Sequence, residues 1–285
     1  MNRQSDLEQY VKIAEFIYNQ LDSDKQRLLL KYIETEEKVI ALLMDIYLNS
    51  SADGQWNLSS VNKTAIRQRL EEELTQIVGN LAENESAIVY SALAGAYIGT
   101  YYRHAHLMSN LTKTNVRFNL QSNVDSIVKS DWNGIVYEDR IVTNHQTLVN
   151  NIITSTIQTI NRRQPIEVLV SKVQGQMGTR YNHSETLINS EGNHLIGLAQ
   201  ETIAKDSQIV RVLEFCAVLD NRTTKYCREH DGRLYSLNDS SRPILPAHIN
   251  CRSIWSLYIE YEATIPNPNY EERSFEDWET EYLIA

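Results

Sequence analysis

The chain has 285 residues, 42% of them apolar, 22% charged and 8% aromatic, with only 10 Gly and 5 Pro. That composition excludes wholesale disorder and argues for long helices with few tight turns. The 27 Lys and Arg against 37 Asp and Glu give a formal charge of −10, which disfavours binding to nucleic-acid phosphates over the whole surface, and three Cys argue against a disulfide scaffold and fit a reducing compartment.

The first residues lack the apolar core of a signal peptide. Ser5-Asp6-Leu7-Glu8 has the form of a capping box, and Leu7, Val11, Ala14, Ile17 and Leu21 follow at helical spacing. A second helix is predicted over about 24–48, on a face of Leu28, Leu29, Tyr32, Ile33, Val39, Ile40, Leu43 and Tyr47. The turn-forming residues 49–60 read as a loop. A third helix covers about 60–82 and an Ala/Gly-rich one about 85–109. Residues 87–102 of the latter are nearly free of charge, but at 16 residues they fall short of the roughly 20 that cross a bilayer. Their small residues (Ala92, Ala94, Gly95, Ala96, Gly99) suit close helix packing, so a buried helix is expected there and no membrane contact.

Residues 110–125 are polar and read as a linker. Trp132-Asn133-Gly134 is a turn, and a long helix follows at about 138–163. Pro165 breaks it and starts another, which Gly175 and Gly178 are expected to close, and a further helix is expected at about 184–207. Beyond 208 the pattern changes: Ile209–Leu219 and 252–260 are β-rich apolar runs separated by turn residues. The tail 260–285 holds eight acidic residues and one basic, so it carries most of the net charge.

The expected fold is therefore mainly α-helical. An N-terminal helical bundle (1–110) precedes a central region of long helices (111–207), a small α+β zinc-knuckle-like unit (208–261) and an acidic tail (262–285). The tail is expected to be mobile, to repel DNA, or to bind a basic surface of a partner.

The metal-capable side chains lie in the α+β unit. Cys227 and His230 are two residues apart, as are His248 and Cys251, with 17 residues between the pairs. Thiolates and imidazoles at this spacing suit tetrahedral zinc, and four protein ligands make a structural rather than a catalytic site. The alternative is two incidental Cys and two surface His. Cys216 reads as a core residue rather than a fifth ligand. His104 and His106 fall on different helix faces and read as solvent-facing or helix-terminal side chains. Glu201 reads as a solvated or ion-paired residue. Arg222, Arg228, Arg233, Arg242 and Arg252 form either a local basic patch or ion pairs with Asp220, Glu229, Asp231 and Asp239.

Two stretches carry a resemblance. Leu219–Gly232 (LDNRTTKYCREHDG) and Leu245–Arg252 (LPAHINCR) resemble a signature of phage Mu F-like minor head proteins, the head morphogenesis family, which has the form D-x-R-x-x-x-x-C-x-x-C-x-x-x-D/N-G and then P-x-H-x-N-C-R-C. Asp220, Arg222, Cys227, Gly232, Pro246, His248, Asn250, Cys251 and Arg252 fit it. His230 stands for the second Cys and Ser253 for the last. Upstream, Trp132-Asn133-Gly134 with Arg140 fits the family's W-x-G and R, and Ala199–Thr202 stands where the family often has R-T-E. The resemblance covers roughly 125–260.

It implies a non-enzymatic head protein of a tailed phage, associated with the portal or the capsid interior and acting in assembly, DNA packaging or ejection. Its partners would be the portal, major capsid or scaffold protein and packaged DNA. It would reside in the virion, at the capsid interior or portal vertex, and in the host cytoplasm during assembly. Zinc would be structural, held by Cys227, His230, His248 and Cys251, with Asp220, Arg222, Gly232, Pro246, Asn250 and Arg252 shaping the motif. The alternatives from other classes are a zinc-stapled nuclease-like or DNA-binding protein and a non-viral helical adaptor.

Overall fold

Helix α1 spans Arg3–Ser50, so the two helices expected before residue 48 are one. No Gly or Pro interrupts Leu21–Asp24, and Asp24 accepts from Arg27 three residues on (2.8 Å) instead of capping a new helix. The helix already includes Arg3, so Ser5 does not mark its start. The computed structural model describes residues 3–52, 55–56, 60–114, 123–259 and 264–283. Most of the expected linker 110–125 lies outside them.

A short antiparallel ladder of β1 (Ser51–Ala52) and β2 (Gln55–Trp56) replaces part of the expected loop. Helix α2 (Ser60–Thr112) again joins two expected helices, and α3 (Val124–Val128) and α4 (Tyr137–Asn161) follow. Helix α5 (Ile166–Ser207) starts after Pro165 as expected but runs through Gly175 and Gly178. A helical Gly is unfavourable by about 1 kcal/mol relative to Ala, too little to stop a helix whose buried face continues through Val173, Met177, Leu187 and Ile188. No helix among the described residues is long and apolar enough to cross a membrane.

The α+β character after 208 holds. Strands β3 (Val210–Cys216), β4 (Leu234–Ser236) and β5 (Ile254–Ile259) form an antiparallel sheet in the order β4-β3-β5, with Phe215 opposite Trp255. Helix α6 (Lys225–His230) lies between β3 and β4 in the chain, and α7 (Phe275–Leu283) lies in the tail.

The chain packs as two compact units drawn from interleaved segments. The first takes residues 1–22, 91–128 and 188–285, and the second takes 23–90 and 129–187. This division differs from cuts at 110, 207 and 261, because α1, α2 and α5 each pass through both units.

In the second unit Trp56 is buried, donates from Nε1 to the Gln164 carbonyl (2.9 Å) and meets Tyr47 edge-on. Its interior also holds polar groups. Glu85 Oε2 accepts from the Tyr32 hydroxyl and from His145 Nε2, both at 2.8 Å, and all three side chains are buried.

In the first unit Gly99 and Gly197 mark close approaches. A Cβ on Gly99 would stand 2.9 Å from Ile17 Cδ1, and one on Gly197 would stand 3.0 Å from Leu245 Cβ. Here α5 also holds the sheet. Asn193 Nδ2 donates to the Ser253 carbonyl (2.8 Å), and Gln200 Oε1 accepts from the Trp255 N–H (2.9 Å), so helix side chains take up two outward backbone groups at the start of β5. Gln200 also reaches His104 (3.3 Å), whose Nδ1–H donates to Thr100 O (2.7 Å). His104 is fully buried, which corrects the solvent-facing expectation: its face of α2 is covered by Tyr10 and Gln200.

The acidic tail is not free along its described length. Trp278 is 3% exposed and packs by Tyr102 and His106, and the Arg103 guanidinium is held between Phe16 and Phe275 (3.7 and 4.1 Å). His106 Nε2–H donates to the Arg273 carbonyl at 2.9 Å.

Candidate metal centre

The two motif stretches meet in space, and three local devices bring them together. Thr224 caps α6 by accepting from the Cys227 N–H (3.4 Å), which places Cys227 in the first turn of the helix. Gly232 then turns the chain at φ +73, a backbone region that side chains rarely adopt, and its N–H donates to Phe215 O (2.8 Å). In the second stretch the Leu245–Pro246 bond is cis, Asn250 takes φ +56, and the Cys251 N–H donates to His248 O (3.1 Å). Asn250 is held from α5, where Asn189 Nδ2 donates to its Oδ1 (3.1 Å) and Ser190 Oγ accepts from its N–H (3.3 Å).

Asp220 and Arg252 lock the stretches to each other. Arg252 Nη2 donates to Asp220 Oδ2 at 2.7 Å, while Asp220 Oδ1 accepts from the Arg222 N–H (2.9 Å). The Arg252 bond first, and then the donors from Arg222 and Thr223, draw the Asp220 carboxyl down to about 2. Arg228 donates to the carbonyls of Asp220 and Thr223. Arg242 pairs with Glu201 (2.8 Å), with both side chains largely shielded, so Glu201 is ion-paired as expected. Of the five arginines, Arg222, Arg228, Arg242 and Arg252 are engaged within the protein, although two of them use partners other than the acids expected. Upstream, Arg140 donates to Asn133 Oδ1 and Ile135 O, which ties the W-x-G turn to its arginine.

At the centre, Cys227, His248 and Cys251 bring one ligand atom each within 4.8 Å of one another. Both Cys are 1% exposed and His248 is half-buried. The two Sγ atoms stand 3.9 Å apart. A disulfide needs about 2.05 Å, whereas two thiolates on tetrahedral zinc, each about 2.3 Å from the ion, stand about 3.8 Å apart. His248 Nδ1–H donates to Ile249 O (2.9 Å), which leaves Nε2 with the free electron pair a metal needs. Burial, and then the neighbouring Cys227, push the Cys251 thiol up, against hydrogen bonds from Ser253 and Ala247. Two adjacent buried sulfurs met by N–H and O–H donors are a donor set that a divalent cation would complete, so the residues present fit a metal.

His230 is not in this group. Its Nδ1–H donates back to Tyr226 O (2.7 Å) and its ring stacks on Tyr226, with centroids 4.0 Å apart. The expected four-residue set is therefore three residues, and the physical reason is that α6 folds the imidazole over its own preceding turn. Ser253, which stands where the family has a Cys, is buried and hydrogen-bonds to Cys251. Cys216 is half-buried and lies outside the cluster, and its Sγ–H faces Glu214 O at 3.6 Å.

The sequence does not reveal the burial of Glu85, His145 and His104 or the role of Gln200. A polar residue at a core position of a helical pattern was the only signal available for each. No protein-family model, no curated protein and no solved structure matches the chain.

Proposed function

We propose that this chain is a minor head protein of a tailed phage, of the Mu F-like kind, with a zinc ion at Cys227, His248 and Cys251. One observation carries the reading: stretches 219–232 and 245–252, on which the resemblance rests, are joined by the Asp220–Arg252 pair and by the Cys227–Cys251 contact. Residues that define a motif on paper form one object in space, as a motif under physical constraint should. In this reading the protein works by docking rather than by catalysis. Its partners are the portal, major capsid or scaffold protein, and its place is the capsid interior or portal vertex. The metal adds a cross-link between α6 and the 245–252 turn.

The test is co-expression with the portal and major capsid proteins of the same genome. The chain should co-purify with assembled heads, and its deletion should leave heads empty or malformed. Normal, DNA-filled heads without it would overturn the assignment. For the ion, elemental analysis should give about one zinc per chain, lost in Cys227→Ser. A metal-free, folded wild type would overturn the zinc reading.

The nuclease reading draws support from a ligand set of three, which is what catalytic zinc has. Metal-dependent DNA nicking that disappears in His248→Ala would establish it in place of the docking role.

A further inference from the structure

We propose that the metal centre is an open, three-ligand site. Cys227, Cys251 and His248 hold the ion, His230 stays outside, and the fourth position takes an exchangeable neutral donor such as water or an imidazole. This rests on the zinc reading above and adds what that site can bind.

The first argument is the placement of His230. On α6 it follows Cys227 by three residues, a spacing that puts both on one helix face and makes a closed four-ligand site conceivable. The imidazole is committed elsewhere. Besides its bond to Tyr226 O and its stacking on that ring, it lies beside Phe215 (6.0 Å) and nearly parallel to Tyr235 (6.4 Å, 12°). Turning it to the sulfurs would break all of these contacts. Among the described residues no other His, Cys, Asp or Glu joins the three.

The second argument is the direction from which a fourth donor can arrive. The sulfurs are 1% exposed, and Cys251 is further surrounded by its donors from Ser253 and Ala247. The His248 side is open: the imidazole is half-buried, Asn250 is exposed and Ile249 is 73% exposed. A ligand on this side meets the Ile249 side chain.

The third argument is charge. Two thiolates cancel the charge of a divalent ion, so the open position offers little attraction for phosphate or carboxylate. A neutral nitrogen donor suits it better, and a histidine of a docked protein has the right chemistry.

The test uses the full chain loaded with cobalt(II), whose ligand-field bands report coordination, together with His248→Ala and His230→Phe. The Phe variant keeps an aromatic ring over Tyr226 and removes the nitrogen donors. The wild type should bind about one cobalt. His248→Ala should weaken binding at least about tenfold, and His230→Phe less than about threefold with its bands unchanged. Imidazole should shift the bands of both the wild type and His230→Phe while the metal is retained, and inorganic phosphate should not. If His230→Phe weakens binding as much as His248→Ala, or if the bands ignore imidazole, the site is closed and the inference fails while the metal reading stands. If the folded wild type binds neither cobalt nor zinc, the metal reading itself fails.

Discussion

His104 in the first unit and His145 in the second are both buried on long helices, and both touch a polar partner from another helix. Their surroundings differ. His104 is neutral: burial pushes it down to about 4, its Nδ1–H goes to Thr100, and Gln200 meets its other nitrogen and passes the chain on to the Trp255 N–H. His145 faces a carboxylate, Glu85, that also takes the Tyr32 hydroxyl, yet Glu85 Oε1 and His145 Nδ1 have no hydrogen-bond partner among the described residues. The first network joins side chains with complementary donors and acceptors, and its own left-over atoms, the Thr100 hydroxyl and Trp255 Nε1, which have no hydrogen-bond partner among the described residues, lie outside the chain of bonds. The second buries a charge-capable pair with two polar atoms left over. The comparison teaches that burial of a histidine by itself says little; the partners decide whether it secures a fold or taxes it.

The most severe way to probe this contrast is Glu85→Ala. It strands the Tyr32 hydroxyl and His145 together and should lower stability by about 3–5 kcal/mol in urea unfolding. The double variant Glu85→Leu/His145→Leu should recover most of that loss, because well-packed apolar groups often match or exceed a buried polar pair. If the double variant is as unstable as the single one, the pair is a net asset and the contrast with His104 collapses.

A smaller loss, about 2–4 kcal/mol, is expected for Gln200→Leu, which leaves His104 and the Trp255 N–H without their partner. Hydrogen exchange at Trp255 should accelerate before exchange in residues 129–187 does. Equal acceleration everywhere would mean that Gln200 holds the whole molecule rather than the sheet.

Acid gives a third effect. The folded value of His104 lies below the ordinary 6.5, so its stabilising contribution is complete above about pH 6.5. It is lost as pH falls toward 4, because the unfolded chain takes a proton that the folded one refuses. The loss over that window should be about 3 kcal/mol, and His194, also lowered by burial, adds to it. His104→Gln should flatten the curve between pH 6.5 and 4 measured by thermal unfolding. An unchanged slope would assign the acid sensitivity elsewhere.

The smallest effect belongs to Asp220→Asn. The carboxyl of Asp220 lies below its ordinary range, so its pairing with Arg252 persists above about pH 4 and fades only toward 2. Near neutral pH the variant should loosen the 219–232 loop to proteolysis and leave global melting almost unmoved. A large drop in melting temperature would show that the pair anchors more than its loop.

What the sequence made legible follows from the strength of each signal. Helical spacing located the helical stretches of α1, α2, α4 and α5, and β-rich apolar runs located β3 and β5. It missed β4, whose three residues are too few to show a period. It also cut α1, α2 and α5 too early, because polar residues at Asp22–Asp24 and Glu83–Glu85 and the glycines at 175 and 178 look like stops when tertiary burial is not in view. Spacing found three of the cluster's members and added His230, since C-x2-H cannot say which way a ring on a short helix will turn. Glu85 borders the uncharged stretch 87–102 and nothing local marks it as buried; its partners Tyr32 and His145 lie 53 and 60 residues away.

The bonds from Asn193 and Gln200 to β5 have a consequence for pairing between copies. The sheet has two outer strands, which could template pairing with a neighbouring molecule. One of them, β5, has its outward groups occupied by α5 side chains at Ser253 and Trp255. The other, β4, is three residues long, too short to recruit a stable partner strand. These contacts shorten the backbone edge that β5 could offer to a second copy, and β4 offers only three residues.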